Sequence, residues 1–187
     1  MRIYFDGNSW SGHKNVAEDK SYPHLLCKSL GVEYDNFSFN GGSNQRMARN
    51  MLIEKDITKY DLAILDFSDP QRLEFIKEGK WDKVTSAHVS YVKDFWTQWY
   101  KHVYTDEYGL TLMKMWRKAI EQHCILHQVP LVCTTYLKNP PMEFDFYLQE
   151  YNYDGHPNED GHQRCAIDLE AYLVDRFGSL LCQQNKQ

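Results

Sequence analysis

No run of about 18 consecutive apolar residues occurs in this 187-residue chain, so the sequence offers no membrane-spanning helix. An excess of positive charge is also missing. Lys and Arg number 21 against 26 Asp and Glu, a net charge of −5. An acidic chain repels phosphate backbones, which argues against nucleic acid as a partner. There is no phosphate-binding loop of the Gly-x-x-x-x-Gly-Lys type. The cysteines at 27, 124, 133, 165 and 182 are odd in number and lack paired spacing, so free thiols in a reducing compartment are expected. The opening Met1-Arg2-Ile3-Tyr4-Phe5-Asp6 is too short and polar for a signal peptide, and the expected location is cytoplasmic. Neither repeat, linker nor low-complexity segment is visible. A single domain over 1–180 with a polar tail over 181–187 is the expectation.

What is present is an alternation of strand and helix patterns. Ile3 to Asp6 reads as a strand ended by Gly7, and Tyr22 to Leu30 as a helix stopped by Gly31. Val32 to Phe39 alternates loosely as a second strand. Ser43 can cap a helix through Ile53. Asp61 to Phe67 is a continuous apolar run of the kind that suits a buried parallel strand. The aromatic surplus lies mostly between Trp81 and Trp116, in a stretch from Trp81 to Gln128 that reads as two helical pieces broken near Tyr108-Gly109. Within it Phe95 and Trp99 are expected to face the core, given their i, i+4 spacing. Val129 to Thr134 is a fourth strand, and Leu137 to Tyr153 a polar, aromatic loop. A last helix runs from about Asn158 to Phe177, with Ala166, Leu169, Leu173 and Val174 facing inward. Such alternation predicts an α/β fold: a three-layer α/β/α sandwich around a parallel sheet.

In sheets of this kind ligands bind at the carboxyl ends of the strands, so the turns there are the places to look. The first turn is Gly7-Asn8-Ser9-Trp10-Ser11-Gly12, which sets a serine in a tight strand-to-helix turn. Free backbone N–H groups at a helix start favour developing negative charge. The second, Asn40-Gly41-Gly42-Ser43-Asn44, exposes backbone N–H groups of the sort that build an oxyanion hole. The third, Asp66-Phe67-Ser68-Asp69-Pro70-Gln71-Arg72, offers a hydroxyl, two acids and a guanidinium. The fourth is Asp154-Gly155-His156-Pro157-Asn158, before the final helix. Residues two apart in an extended stretch share a side, so Asp154 and His156 can face the same way. An imidazole is suited to take a proton from a serine hydroxyl, and a carboxylate beside it fixes its tautomer. His162 reads as structural.

The order of these four turns resembles the SGNH/GDSL hydrolases, with a Gly-Asp-Ser block, a Gly block, a Gly-x-Asn-Asp block and an Asp-x-x-His block. Gly7-Asn8-Ser9 matches the first with Asn8 in place of Asp, and Gly41 matches the second. Asp66-Phe67-Ser68-Asp69 stands for the third with Ser68 in place of Asn, and Asp154-Gly155-His156 for the last, one residue shorter. The resemblance spans nearly the whole chain and extends to compact, phage-type SGNH-like proteins. It implies a flavodoxin-like parallel sheet and hydrolysis of an acyl ester, small-molecule or glycan, without a cofactor. Ser9 would be nucleophile, His156 base and Asp154 its orienting acid. Gly41 and Ser68 would hold the oxyanion, with Asn8, Asp69 and Arg72 as supporting or substrate contacts.

Two other readings stay open. One is a catalytically weak or inactive binding protein on the same fold, for a carbohydrate or a protein partner, with Phe95 to Tyr100 as its aromatic surface. The other is a metal site. His123 and His127 have ligand spacing, but Cys124 stands where a zincin carries Glu, and Asp154, His156 and His162 form only a loose ligand set.

Overall fold

The structure, a computed structural model, describes residues 1–12, 15–84, 95–148 and 156–182. Its element order is β1 (Arg2–Asp6), α1 (Tyr22–Leu30), β2 (Glu33–Asn36), α2 (Asn44–Arg49), β3 (Leu62–Phe67), β4 (Leu73–Lys77), β5 (Lys80–Val84), α3 (Phe95–His102), α4 (Asp106–Leu126), β6 (Leu131–Thr135), β7 (Phe146–Tyr147) and α5 (Glu159–Cys182). β3 is buried at every position, as an unbroken apolar run requires of a strand covered on both faces. It pairs with β1 on one side and β6 on the other, and β2 and β7 complete a five-stranded parallel sheet of order β2-β1-β3-β6-β7. The order reverses between β1 and β3, the switch point where α/β sheets place their ligands.

The two faces of the sheet carry separate cores. Ile3, Phe5, Leu62, Ile64 and Val132 point to one side, against Tyr22 and Leu26 of α1 and Leu169 and Leu173 of α5. Tyr4, Ala63, Leu65 and Phe67 point to the other, against Met47 of α2 and Met113 and Ile120 of α4. A fully buried leucine such as Leu169 or Leu173 contributes about 1.5–3 kcal/mol relative to exposure. The fold is therefore the expected α/β/α sandwich. The four described cysteine side chains, at 27, 124, 133 and 165, are buried and unbridged.

Several boundaries differ from the sequence reading. Trp81 does not begin a helix. It lies in β5, which forms an antiparallel hairpin with β4. Glu78 and Gly79 both have positive φ, 51° and 74°, the conformation of a two-residue turn whose twist matches that of the flanking strands. The helical break falls at 103–105 instead of Tyr108-Gly109, and Thr105 caps α4 by accepting from the Tyr108 N–H. Gly109 sits inside that helix because the Tyr104 ring packs on it; a Cβ there would lie 1.9 Å from the Tyr104 hydroxyl.

Val174 is 51% exposed, since the inward stripe of α5 follows Ala166, Leu169 and Leu173 and Val174 falls off its edge. α5 is kinked at Phe177 (φ −126°, ψ 19°), where the sequence pattern ends the helix, and a further helical stretch runs to Cys182. Trp99 packs in an aromatic cluster with Tyr100, Tyr104 and Tyr108, outside both cores, and the Phe95 side chain lies outside the described residues. Among the described residues no helix is long and apolar enough to cross a membrane.

Candidate active site

Ser9 Oγ lies 2.8 Å from His156 Nε2, although 147 positions separate them in the chain. In the tautomer with its proton on Nδ1, His156 accepts the serine proton at Nε2. Ser9 is 5% exposed, on a turn held at both ends. At its start the Gly7 N–H donates to Asp6 Oδ1 at 2.7 Å, and at its close the Gly12 N–H donates to the Asn8 carbonyl at 2.8 Å. His156 reaches the turn from the N-terminal side of α5, which Asn158 caps by accepting from the Gly161 N–H. His162, one turn into that helix, accepts the Tyr22 N–H at Nδ1 (3.2 Å) and stacks on the Tyr22 ring. That tie joins the starts of α1 and α5. Asp154, expected to orient His156, lies outside the described residues.

The glycine loop packs directly on the serine turn. A Cβ on Gly42 would fall 2.6 Å from the Gly7 carbonyl oxygen, so only glycine allows this approach. Ser43 then caps α2 by accepting from the Arg46 N–H, as its position suggested. Gly41 lies beside Lys83 of β5, whose Nζ donates to the Asn40 carbonyl and sits over the Phe39 ring. The hairpin thus braces the loop from outside. Between them is a cavity of about 220 Å³ lined by Phe39, Gly42, Arg46, Arg49, Glu74, Trp81 and Lys83.

Ser68 is placed differently from expectation. It is 1% exposed, and its hydroxyl donates to the Gly42 carbonyl at 3.1 Å. A hydroxyl has one proton to give, and Asn44 Oδ1 is a second acceptor near it at 3.4 Å. Ser68 thereby joins two loops. Its N–H donates to Asn44 Oδ1 at 2.8 Å, and Asn44 Nδ2 donates back to its carbonyl at 2.9 Å. Asp69 turns inward on its own loop, accepting the Gln71 N–H at 2.8 Å. Arg72 is half-buried, its charge acts on Asp66 and Tyr136, and its Nη1 is enclosed without a hydrogen-bond partner among the described residues. Asn8 is wholly buried and its side chain bonds to Asp66 of β3, so it supports the turn.

Two buried carboxyls underlie this arrangement, and the sequence reading gave neither a role. Asp6 Oδ1 accepts from Arg46 Nη1 at 2.8 Å, and its Oδ2 accepts from Asn50 Nδ2 at 2.7 Å. Burial raises its pKa, and the Arg46 charge and these hydrogen bonds oppose the rise. Asp66, at the end of β3, accepts from Asn8 Nδ2 (2.9 Å) and Ser11 Oγ (3.4 Å) at Oδ2. Burial pushes its pKa up to about 8. The signal was available: Asp6 closes β1 and Asp66 stands one residue before the end of β3, each next to a turn that carries a polar motif residue. Among the described residues no group of three or more His, Cys, Asp or Glu could hold a metal ion. The His123 and His127 rings meet edge to face, with centroids 4.5 Å apart.

No protein-family model matches the chain, and no curated protein matches it. Solved structures do. The psychrotrophic esterase EstA from Pseudoalteromonas sp., inhibited by monoethylphosphonate, superposes with a TM-score of 0.60 at 8% identity, over 95% of this chain and 98% of EstA. The two chains share a fold over nearly their whole length. A putative lipolytic protein of the G-D-S-L family from Desulfitobacterium hafniense gives 0.47 at 11% identity, over 92% of this chain and 99% of its own. An acetyl xylan esterase, Est2A, from Butyrivibrio proteoclasticus gives 0.48 at 16%, over 95% of this chain and 64% of its own. At such identities the likeness is one of fold alone, and a shared fold does not fix the chemistry.

Proposed function

We propose that the protein hydrolyses acyl esters, with Ser9 as nucleophile and His156 as general base and acid. The observation that carries this reading is the 2.8 Å contact between Ser9 Oγ and His156 Nε2 at the carboxyl end of the sheet. Ser9 Oγ attacks the ester carbonyl carbon as its proton passes to His156 Nε2. The tetrahedral intermediate expels the alcohol, which takes that proton, and leaves an acyl-Ser9. Water then attacks the acyl carbon, gives its proton to His156 and releases the acid as the proton returns to Ser9. The developing oxyanion sits against the N–H groups of Ser9 and Gly41. The Gly42 N–H is taken by the Phe39 carbonyl, and the Ser68 hydroxyl by Gly42. Asp154, two residues before His156, is assigned to hold its Nδ1 proton. No cofactor enters the sequence of steps.

The test is a p-nitrophenyl ester panel of increasing acyl length, with fluorophosphonate labelling. Ser9→Ala is expected to lose labelling and turnover while unfolding at the wild-type temperature; in a related triad such a loss was about 10⁶ in kcat. Undiminished turnover in folded Ser9→Ala rejects the nucleophile. A wild-type chain that neither turns over the panel nor labels supports the reading as a binding protein on this fold.

A further inference from the structure

We propose that Asp66 is a positioning residue for the nucleophile, acting through Asn8; the inference rests on Ser9 being that nucleophile. Asp66 stands one residue beyond Leu65, the β3 partner of Asp6, and so lies level with the start of the serine turn. The approach there is tight. A Cβ on Gly7 would fall 2.8 Å from the Asp66 Cβ. The Asn8 side chain bridges the gap in both directions. Its Nδ2 donates to the Asp66 carbonyl (3.2 Å) and to Oδ2 (2.9 Å), while its Oδ1 accepts the Trp10 N–H at 3.0 Å. Ser11 Oγ adds a longer bond to the same Oδ2 at 3.4 Å.

Ser9 is therefore flanked by two residues that one amide fixes to each other and to the neighbouring strand. An amide is the fitting side chain at position 8, because it donates to the acid and accepts from the turn at once. An ionised Asp there has no proton to donate to Asp66, and the two carboxyls would face each other in a dry site. Where the SGNH pattern carries an acid beside the serine, this chain carries an amide there and a buried acid on the next strand.

The contacts are with the turn, not with a substrate, so the effect should fall on the chemical step. Asp66→Ala and Asn8→Ala are each expected to lower kcat and the rate of fluorophosphonate labelling by about 10- to 100-fold. KM should stay within about twofold in both. Asp66→Asn keeps an acceptor facing Asn8 and is expected to recover most of the loss. The double variant Asn8→Ala/Asp66→Ala should be no slower than either single, because one bridge is removed only once.

Should Asp66→Ala fail to fold, Asn8→Ala cuts the bridge from its other end, and Asp66→Asn supplies the rescue arm. A folded Asn8→Ala or Asp66→Ala with wild-type kcat overturns the proposal, as do losses that multiply in the double variant. A rise in KM at constant kcat does so too, since it would make Asp66 a binding residue. Ser9→Ala runs alongside. If it retains turnover, the nucleophile assignment fails and this inference with it; if turnover depends on Ser9 and Asn8→Ala is unimpaired, only this inference fails.

Discussion

Asp66 is enclosed at the strand end, and enclosure opposes the ionisation a carboxyl ordinarily undergoes near pH 4. Burial pushes its pKa up to about 8, against smaller opposing effects of Ser11, Arg72 and Asn8. The folded chain thus holds this proton more tightly than the unfolded chain. A raised carboxyl pKa contributes stability that is complete below the unfolded value and is lost as pH rises toward the folded value. The window here runs from the ordinary carboxyl value of 3.8 to about 8. Asp66→Asn removes the proton from the balance. Its stability relative to wild type should therefore increase between pH 5 and pH 8.5, as read by urea unfolding at each pH. A difference independent of pH would show that Asp66 ionises as readily folded as unfolded. Ser68 gives a second prediction at this scale. Because its hydroxyl ties Gly42 and its N–H ties Asn44, Ser68→Ala should cost about 1 kcal/mol of stability. Ser68→Asn should not raise kcat, since a larger amide in a site 1% exposed must push the two loops apart. A gain in ester turnover by Ser68→Asn would reinstate an oxyanion donor at that position.

The element that reshapes the site's surroundings is the β4–β5 hairpin, which lies outside the parallel sheet. It docks on α2, where Arg49 pairs with Glu74 at 3.2 Å and stacks over Trp81, and the Glu74 N–H meets Gln45. From that platform Lys83 reaches the Asn40 carbonyl and covers Gly41. Removing the Lys83 ammonium while keeping its length, as in Lys83→Met, frees the loop that supplies the proposed Gly41 donor. A fall in kcat of about 10-fold with little change in KM is expected from such misplacement. Equal rates for both proteins would mean that the loop is held by the Ser68 and Asn44 bonds alone. The hairpin was hidden in the sequence by its aromatic and charged residues, Phe75, Trp81 and Lys83, which also suit a helix. Its one local sign was Glu78-Gly79, a pair with glycine where φ is positive.

Across the whole molecule the sheet was legible because its inner strands carry apolar runs, Ile3 to Phe5 and Leu62 to Leu65. β1 and β3 announce burial on two faces, and the intervening helices carry caps at Ser43 and Gly31 where the pattern ends. The contact between Ser9 and His156 was legible for the same reason, since each residue stands beside a strand or helix terminus. Buried partners such as Asp6, Asp66, Asn44 and Arg46 were not, because their meaning lies in contacts between loops far apart in sequence.

His162 shows how the distance is bridged. It is 1% exposed, accepts the Tyr22 N–H, and links α5, which His156 precedes by three residues, to α1, which follows the Ser9 turn. His162→Ala leaves a buried N–H without an acceptor, which costs about 1–3 kcal/mol, and opens a void beside the Tyr22 ring. His162→Asn can present an oxygen near the Nδ1 position and should recover part of the loss. If α5 delivers His156 through this tie, stability and the rate of Ser9 labelling should fall together in His162→Ala and recover together in His162→Asn. Urea unfolding and labelling kinetics on the same samples measure both. Stability that falls while labelling keeps its wild-type rate would show that the histidine loop reaches Ser9 without help from the helix junction.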